Sequence, residues 1–386
     1  MKTNSSRRNF LSASVALPMA GLWRFGEGSQ QTAGSPEKEV KLEYRTLGRT
    51  GLKVTTMGFG CMITSDPSVI ERAADIGINY FDTARGYQGG NNERMVGAAL
   101  KGKRKNVFIS TKTGAGTKEE ALNDLETSLR ELGSDYVDVW CLHGRSSPSQ
   151  VSDEFIEAQQ LAKKQGKVRF SGVSTHRGQQ ELLPWLAEQG QIDVVIVAYN
   201  FAMDKSMEAA VEAAAKGGIG LVGMKVMAGG FRRPRPGDPT QEKLKRPGVM
   251  LAALKWVIRN PHIHTTIPSI TDMDQLDENL KAMREAFGAA EEKLLARQLD
   301  YITPFYCRMC GECKATCAKG LPVEDILRHL TYAEGYGQFS LGREEFLKLG
   351  SEVAAVRCGD CEHCTVKCPF GVQVSARLSR AQELFA

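Results

Sequence analysis

A chain of 386 residues with 42% apolar side chains can bury one large core and a second, smaller one, and a single α/β barrel can by itself occupy about 250 residues. The formal net charge of +5 is small and its Lys and Arg residues are scattered, which excludes a basic nucleic-acid-binding surface. Its ten cysteines are unevenly placed: Cys61 and Cys141 precede position 300, and the other eight crowd between Cys307 and Cys368, marking a separate C-terminal module.

Near the start, Ser6-Arg7-Arg8-Asn9-Phe10-Leu11 runs into a mildly apolar stretch to Trp23 and then a Gly/Ser/Gln-rich stretch to Glu37. The apolar run is too short to span a bilayer and has the layout of a signal peptide. Paired arginines before Phe-Leu resemble the twin-arginine export signal, whose cargo crosses already folded. The competing reading is a disordered tail with a chance pair of arginines. Residues 1–38 are therefore set apart as signal and linker, and the expected location is the periplasm or the cell envelope.

From Val40 the pattern becomes regular. Tyr44-Arg45-Thr46-Leu47 and Leu52-Lys53-Val54 flank a Gly48-to-Gly51 turn and read as a hairpin. Eight short apolar runs follow, at 55–59, 78–82, 107–112, 137–143, 168–174, 194–199, 220–226 and 265–268. Amphipathic stretches at 67–76, 118–132, 152–165, 207–216 and 247–259 lie between them. This alternation predicts an α/β fold, a (β/α)8 barrel over residues 39–298. Active sites of such barrels lie on the loops after the C-terminal ends of the strands. Asp82, Lys112 and His143 each end a strand, so the topology brings them to one rim, with Tyr87 on the loop just after Asp82. A phenol with an ordinary pKa of about 10 is a poor general acid at neutral pH unless a cation stabilises its anion. Lys112 is placed to do so. Singly, each residue has a plainer account, as a surface lysine, a capping aspartate or a hydrogen-bonded core histidine.

The settings FDTARGY, ISTKT and YVDVWCLH around these four residues resemble the tetrad of the aldo-keto reductases. The hairpin before the first strand, the Gly172–Thr175 segment, and Ile267-Pro268-Ser269 followed by Asp277–Leu280 resemble that family too, so the likeness runs from about residue 41 to 295. The resemblance implies carbonyl–alcohol interconversion with a nicotinamide cofactor. Tyr87 would exchange the proton, Lys112 would lower its pKa, Asp82 would hold Lys112, and His143 would orient the carbonyl. It further implies cofactor contacts at Ser174, Thr175, Lys225, Ser269, Gln275, Glu278 and Asn279. Departures fall at Thr175, where Asn is usual, at Ile196, in place of Gln, and at Met224-Lys225, in place of a stacking aromatic. Gln275 stands where many members use Arg to grip a 2′-phosphate, so the cofactor is NADP or NAD. Two glycine-rich stretches, Gly218-x-Gly220-x-x-Gly223 and Gly114–Lys118, lack the context or spacing of phosphate loops and read as structural. Cys61 and Cys141 read as buried small hydrophobes.

The spacing Cys307-x2-Cys310-x2-Cys313-x3-Cys317 recurs as Cys358-x2-Cys361-x2-Cys364-x3-Cys368-Pro369. This is bacterial ferredoxin spacing, in which three thiolates bind one [4Fe–4S] cube and the fourth crosses to the other cube. The rule sends Cys368 to the first cluster and Cys317 to the second. Two zinc sites or a disulfide framework are the alternatives. Residues 299–386 are thus expected to form a mainly helical, ferredoxin-like iron–sulfur domain, with the helically spaced Val323–Leu330 packed over the clusters. His363 reads as a solvent-facing loop residue.

The function expected from the whole is an exported oxidoreductase acting on a small carbonyl or alcohol, a sugar included, coupled to two clusters and to a redox partner. The alternatives are an electron-transfer protein whose barrel is a non-catalytic scaffold, and a sugar- or cofactor-binding module. Specificity would lie in loops such as Arg145–Gln150 and Gly229–Lys245.

Overall fold

The computed structural model describes residues 41–230 and 248–386; the segment read as signal and linker, and residues 231–247, which include most of the Gly229–Lys245 stretch expected to carry specificity, lie outside the described residues. The hairpin of β1 (Tyr44–Thr46) and β2 (Lys53–Thr55) pairs antiparallel, with Tyr44 opposite Thr55. Its turn presses on the start of β9: the Arg49 amide donates to Gly218 O at 2.7 Å. A β-carbon at Gly48 would lie 2.3 Å from the Gly220 nitrogen, so only glycine permits this approach. Leu47 and Val54 are fully buried and plug the N-terminal end of the barrel.

Eight strands follow: β3 (Phe59–Gly60), β4 (Tyr80–Asp82), β5 (Phe108–Thr113), β6 (Val137–Leu142), β7 (Val168–Thr175), β8 (Val194–Ala198), β9 (Gly220–Met224) and β10 (Thr265–Thr266). They are ordered sequentially in one sheet, and each neighbour pairs parallel. Parallel bridges Met57–Thr266 and Gly60–Ser269 join the two edges. β6 and β8 are buried at every position, as largely apolar strands are when helices cover the outside and side chains fill the inside, and the one charge in β6, Asp138, is paired with Arg104 and Arg169. The helices are α1 (Pro67–Ile76), α2 (Asn91–Ala99), α3 (Lys118–Leu132), α4 (Asp153–Lys164), α5 (Gln179–Gln189), α6 (Lys205–Lys216), α7 (Val249–Ile258), α8 (Met273–Leu280) and α9 (Ala289–Ile302). Their ends obey local rules. Asp66 caps α1 ahead of Pro67, and the Thr117–Glu120 capping box starts α3. The phosphate-loop-like Gly114–Lys118 is therefore the approach to a helix cap.

Beyond α9 the described residues form no strand. They carry α10 (Val323–Glu334), α11 (Phe339–Leu347), α12 (Ser351–Ala355) and α13 (Val374–Phe385). Ile326, Leu330, Phe346, Leu378 and Phe385 are nearly or wholly buried together, with the Phe346 and Phe385 rings 5.5 Å apart. Each contributes about 1.5–3 kcal/mol by leaving water. α10 has two working faces. Its apolar face joins this core, and its other face lies across the C-terminal ends of the barrel strands. Arg177, just past β7, pairs with Asp325 at 2.7 Å and Glu324 at 3.3 Å. A β-carbon at Gly335 would fall 2.2 Å from Gly229 O, so helix end and barrel loop meet backbone to backbone. Among the described residues no helix is long and apolar enough to cross a membrane.

Candidate active site and cysteine clusters

Asp82 closes β4, Lys112 is the penultimate residue of β5, and His143 follows β6 directly, its amide donating to Thr113 O at 2.8 Å. Tyr87 reaches them from a loop held at several points. Thr83 Oγ1 donates to Asn92 Oδ1 at 2.6 Å, and Gln88 Nε2 donates to Thr64 O at 2.7 Å. Arg85 pairs with the fully buried Glu93, which also accepts from Thr111 Oγ1 at 2.5 Å. Gln88, Gly89 and Gly90 all take positive φ, turning the chain sharply behind Tyr87. Gln88 bears the cost of that conformation, a mark of strain stored at a functional loop. Sequence reasoning missed Arg85, Asn92 and Glu93. A carboxylate in the first turn of α2 looks like an ordinary helix-start charge, and only its burial separates it from one.

The four rim residues converge. Lys112 Nζ donates to Asp82 Oδ2 at 2.6 Å, to Thr83 O at 2.7 Å and to the Tyr87 hydroxyl at 3.3 Å. The Tyr87 and His143 rings meet edge to face at 5.9 Å. Burial works against the Lys112 charge, but Asp82 and Tyr87 more than offset it and hold the ammonium above the usual lysine range. Burial lifts the Asp82 carboxyl above its ordinary value, with Lys112 pulling it down. The Tyr87 phenol is pushed up to about 12 by burial; Lys112 pulls it down and Asp82 pushes it up. Lys112 thus pulls the phenol down as expected, while burial pushes it up by more. His143 is depressed to about 3 by burial first and by Lys112 next, so its imidazole is neutral. The arrangement combines a protonated phenol, a permanent ammonium beside it and a neutral ring opposite.

The residues expected at a cofactor do not all meet. Lys225, at a left-handed φ of 54° just after β9, and Ser269 line one cavity with Ile63, Gly230, Pro268 and Tyr336. Ser174 and Thr175 are buried at the end of β7. The Ser174 hydroxyl accepts from the Gly144 amide at 2.9 Å, and the Thr175 hydroxyl donates to Arg177 O at 3.0 Å. Gln275 is turned into the cap of its own helix, donating to Thr271 Oγ1 at 2.9 Å and to Asp272 Oδ2 at 2.6 Å. Asn279 is buried in α8 and Glu278 half-buried. Lys225 Nζ sits 5.0 Å from the Tyr332 ring and 5.8 Å from the Tyr336 ring. Burial first, then Arg328, brings its pKa down to about 7. These aromatic neighbours come from the C-terminal module, beyond the reach of any barrel-based reading. Cys61 and Cys141 are fully buried.

All eight late cysteines are free thiols, which removes the disulfide framework. Cys307, Cys310, Cys313 and Cys368 line one cavity, walled by Leu327 and Phe370 among others. The Cys307 thiol is pushed up to about 12, by burial first, with the charges of Cys313, Cys310 and Cys368 adding to it. Cys358 is likewise raised, by burial first and then by Cys364, Cys361 and Cys317. Cys368 of the second motif thus shares a cavity with three thiols of the first, and Cys317 acts on Cys358 of the second. Met309 and Ala315 take positive φ in the first loop, and the Met309 amide donates to Cys307 Sγ at 3.3 Å. Among the described residues no group of three or more Cys, His, Asp or Glu closes on a point where a single ion would sit. His363 is exposed.

Comparison with known proteins agrees with the barrel. The profile of the Aldo/keto reductase family matches residues 64–248. The uncharacterized oxidoreductase YqkF of Bacillus subtilis (strain 168) is 25% identical over 298 residues, covering 67% of this chain and 96% of that protein. The L-galactose dehydrogenase of Arabidopsis thaliana is 26% identical over 298 residues, covering 66% and 93% respectively. Among solved structures, the holo form of aldo-keto reductase AKR11C1 from Bacillus halodurans superposes with a TM-score of 0.58 at 26% identity, over 70% of this chain and 99% of that one. This profile match, these relatives and a barrel of eight parallel strands mark residues 64–248 as an oxidoreductase barrel of the aldo/keto reductase type.

Proposed function

We propose that the chain interconverts a small carbonyl and its alcohol at the barrel rim with NADP or NAD, and that its C-terminal module holds two [4Fe–4S] clusters. The observation that carries the reading is the buried Lys112 ammonium bonded at once to Asp82 and to the Tyr87 hydroxyl. Bound at the cavity of Lys225 and Ser269, a reduced nicotinamide would supply the hydride. The amine, the hydroxyl and the glycine backbone at Gly230 suit its diphosphate. Gln275, occupied by its own cap, offers no charged fork for a 2′-phosphate. The chain's own residues deliver the proton. His143, neutral, donates to the carbonyl oxygen and fixes it beside Tyr87. As negative charge grows on that oxygen the Tyr87 hydroxyl gives up its proton, and the adjacent Lys112 ammonium stabilises the phenolate left behind. Asp82 keeps Lys112 in place. In the opposite direction Tyr87 takes the proton back. The likeness to an L-galactose dehydrogenase supports a hydroxylated, sugar-sized substrate.

The cluster reading is supported by free thiols in two sets of four, by the duplicated spacing and by the amide donated to Cys307 Sγ. A four-iron cube takes each thiolate on its own iron, so its ligands need not converge on one point, unlike those of a single zinc. When bound, such clusters would carry single electrons. Because Leu327 and Glu324 of α10 line the first thiol cavity while Tyr332 and Tyr336 face Lys225, one helix connects the two sites. Coupling through it would recycle a retained cofactor or pass electrons to a redox partner. Export through the twin-arginine route to the periplasm or envelope is part of the proposal and rests on Arg7-Arg8 and the run after them. Anaerobic purification of the full chain, with iron, sulfide and bound-nucleotide analysis and a carbonyl panel, tests the reading. Iron and sulfide in equal amounts, with carbonyl turnover, are expected; a metal-free protein inert to every carbonyl would overturn it.

A further inference from the structure

The proton path leaves part of the mouth without a role. His176 lies next to His143, ring centroids 6.5 Å apart, and its Nδ1 is buried with no hydrogen-bond partner. Arg328 stands one turn before Tyr332 on α10. Its Nη2 bonds Asp325 at 3.0 Å and meets His329 Nε2 at 3.2 Å, but its Nε is buried and unpartnered. Asp325 is shared between Arg328 and Arg177, and Arg177 has Glu324 as well, so Arg328 is the guanidinium without a carboxylate of its own. Through Asp325 it is joined to Arg177, the residue after His176, and Tyr332 one turn further on lies 5.0 Å from Lys225, so this face of α10 meets the His176 side of the mouth; the Arg328 charge accordingly acts on His143, His176 and Lys225. Tyr332 in turn acts on Tyr87. Buried donors without partners are costly, and a guanidinium edge is shaped for an oxyanion.

We propose that Arg328 and His176 form an oxyanion-recognition site that grips a carboxylate or phosphate on the substrate while Tyr87 and His143 address its carbonyl. The substrate class is then a small aldehyde or ketone carrying an anionic group, and the site is complete only with α10 over the barrel. This rests on the carbonyl–alcohol reading above. It makes Arg328 a specificity residue supplied by the cysteine-rich module.

The test uses the full chain purified anaerobically, as wild type, Arg328→Gln and Arg328→Lys. Succinic semialdehyde is compared with its methyl ester, an uncharged aldehyde of nearly the same shape. Arg328→Gln should raise KM for the acid by about 10–100-fold, as loss of a hydrogen bond to a charged group does. It should leave kcat and the ester's KM nearly unchanged, with Arg328→Lys in between. Equal rises for acid and ester, a rise in the nicotinamide KM instead, or no change would each overturn the proposal. Calorimetric binding of succinate, which cannot turn over, separates this site from the reductase reading. If neither aldehyde is reduced yet succinate binds wild type and not Arg328→Gln, the reductase reading fails and the anion site stands. If both aldehydes are reduced but succinate binds both proteins alike, the anion site falls.

Discussion

The Lys112 ammonium lies 3.3 Å from the Tyr87 hydroxyl and is nearly inaccessible to water. It is a permanent positive charge placed where a phenolate would form. Lys112→Met should lower carbonyl reduction by about 10²–10⁴-fold in kcat, the range typical of lost acid–base catalysis. Asp82→Asn leaves that ammonium buried without its counter-charge, 2.6 Å from a group that can no longer balance it. It should destabilise the fold by roughly 3–5 kcal/mol, read as a lower urea midpoint. An unchanged midpoint would mean that the pair is not held as an ion pair.

Acid should weaken the fold through its histidines. Burial depresses His143 and His329 to about 3 and His264 to about 4, and His176 well below the ordinary value. Because these rings bind protons less readily folded than unfolded, the stability they confer is present above about pH 6.5 and drains away as pH falls toward 3–4. His264 shows the reason locally: its Nδ1 accepts the Leu221 amide at 2.9 Å, a bond a protonated ring could not accept. Urea midpoints should therefore drop between pH 7 and 5; a flat or rising midpoint would contradict this.

Docking of the C-terminal module should depend on two small features. A double-mutant cycle between Arg177→Ala and Asp325→Ala should give a coupling of roughly 0.5–3 kcal/mol. Gly335→Ala forces a β-carbon to within 2.2 Å of Gly229 O and should speed amide exchange in α10 while leaving α3 unaffected. Uniform exchange across both helices would show that the contact is not a local hinge of stability.

The proposed exchange of fourth ligands between two clusters would have a spectroscopic signature. Cys368→Ser should deplete the same paramagnetic signal as Cys310→Ser, and Cys317→Ser the same signal as Cys361→Ser, each with about half of the iron lost. If Cys317→Ser instead removed the signal lost in Cys310→Ser, each motif would bind its own cluster.

Most of the barrel was legible because period-two and period-3.6 patterns report burial directly. Helices at 67–76 and 118–132 fall where their caps place them. Edge strands were not: the run at 55–59 divides between β2 and β3, and the short β10 spans only Thr265–Thr266, because pairing partners decide where a ladder stops. The rim residues were legible from strand ends. The net shift of Tyr87 was not, since burial is a property of everything packed above it, including Tyr332 from a segment about 245 residues away in sequence. Val323–Leu330 displayed the apolar face of α10; its second face, with Asp325, Arg328 and Tyr332, is polar and looks like solvent exposure until the barrel is put against it.

Replacing Tyr87 by Phe removes one oxygen and little else, so its steady-state kinetics are the most direct measurement of all. Carbonyl reduction should fall by about 10²–10⁴-fold in kcat, with nicotinamide binding and any dye reduction through the proposed clusters retained. Turnover within a few-fold of wild type would contradict the account, because the proton would then come from some other group.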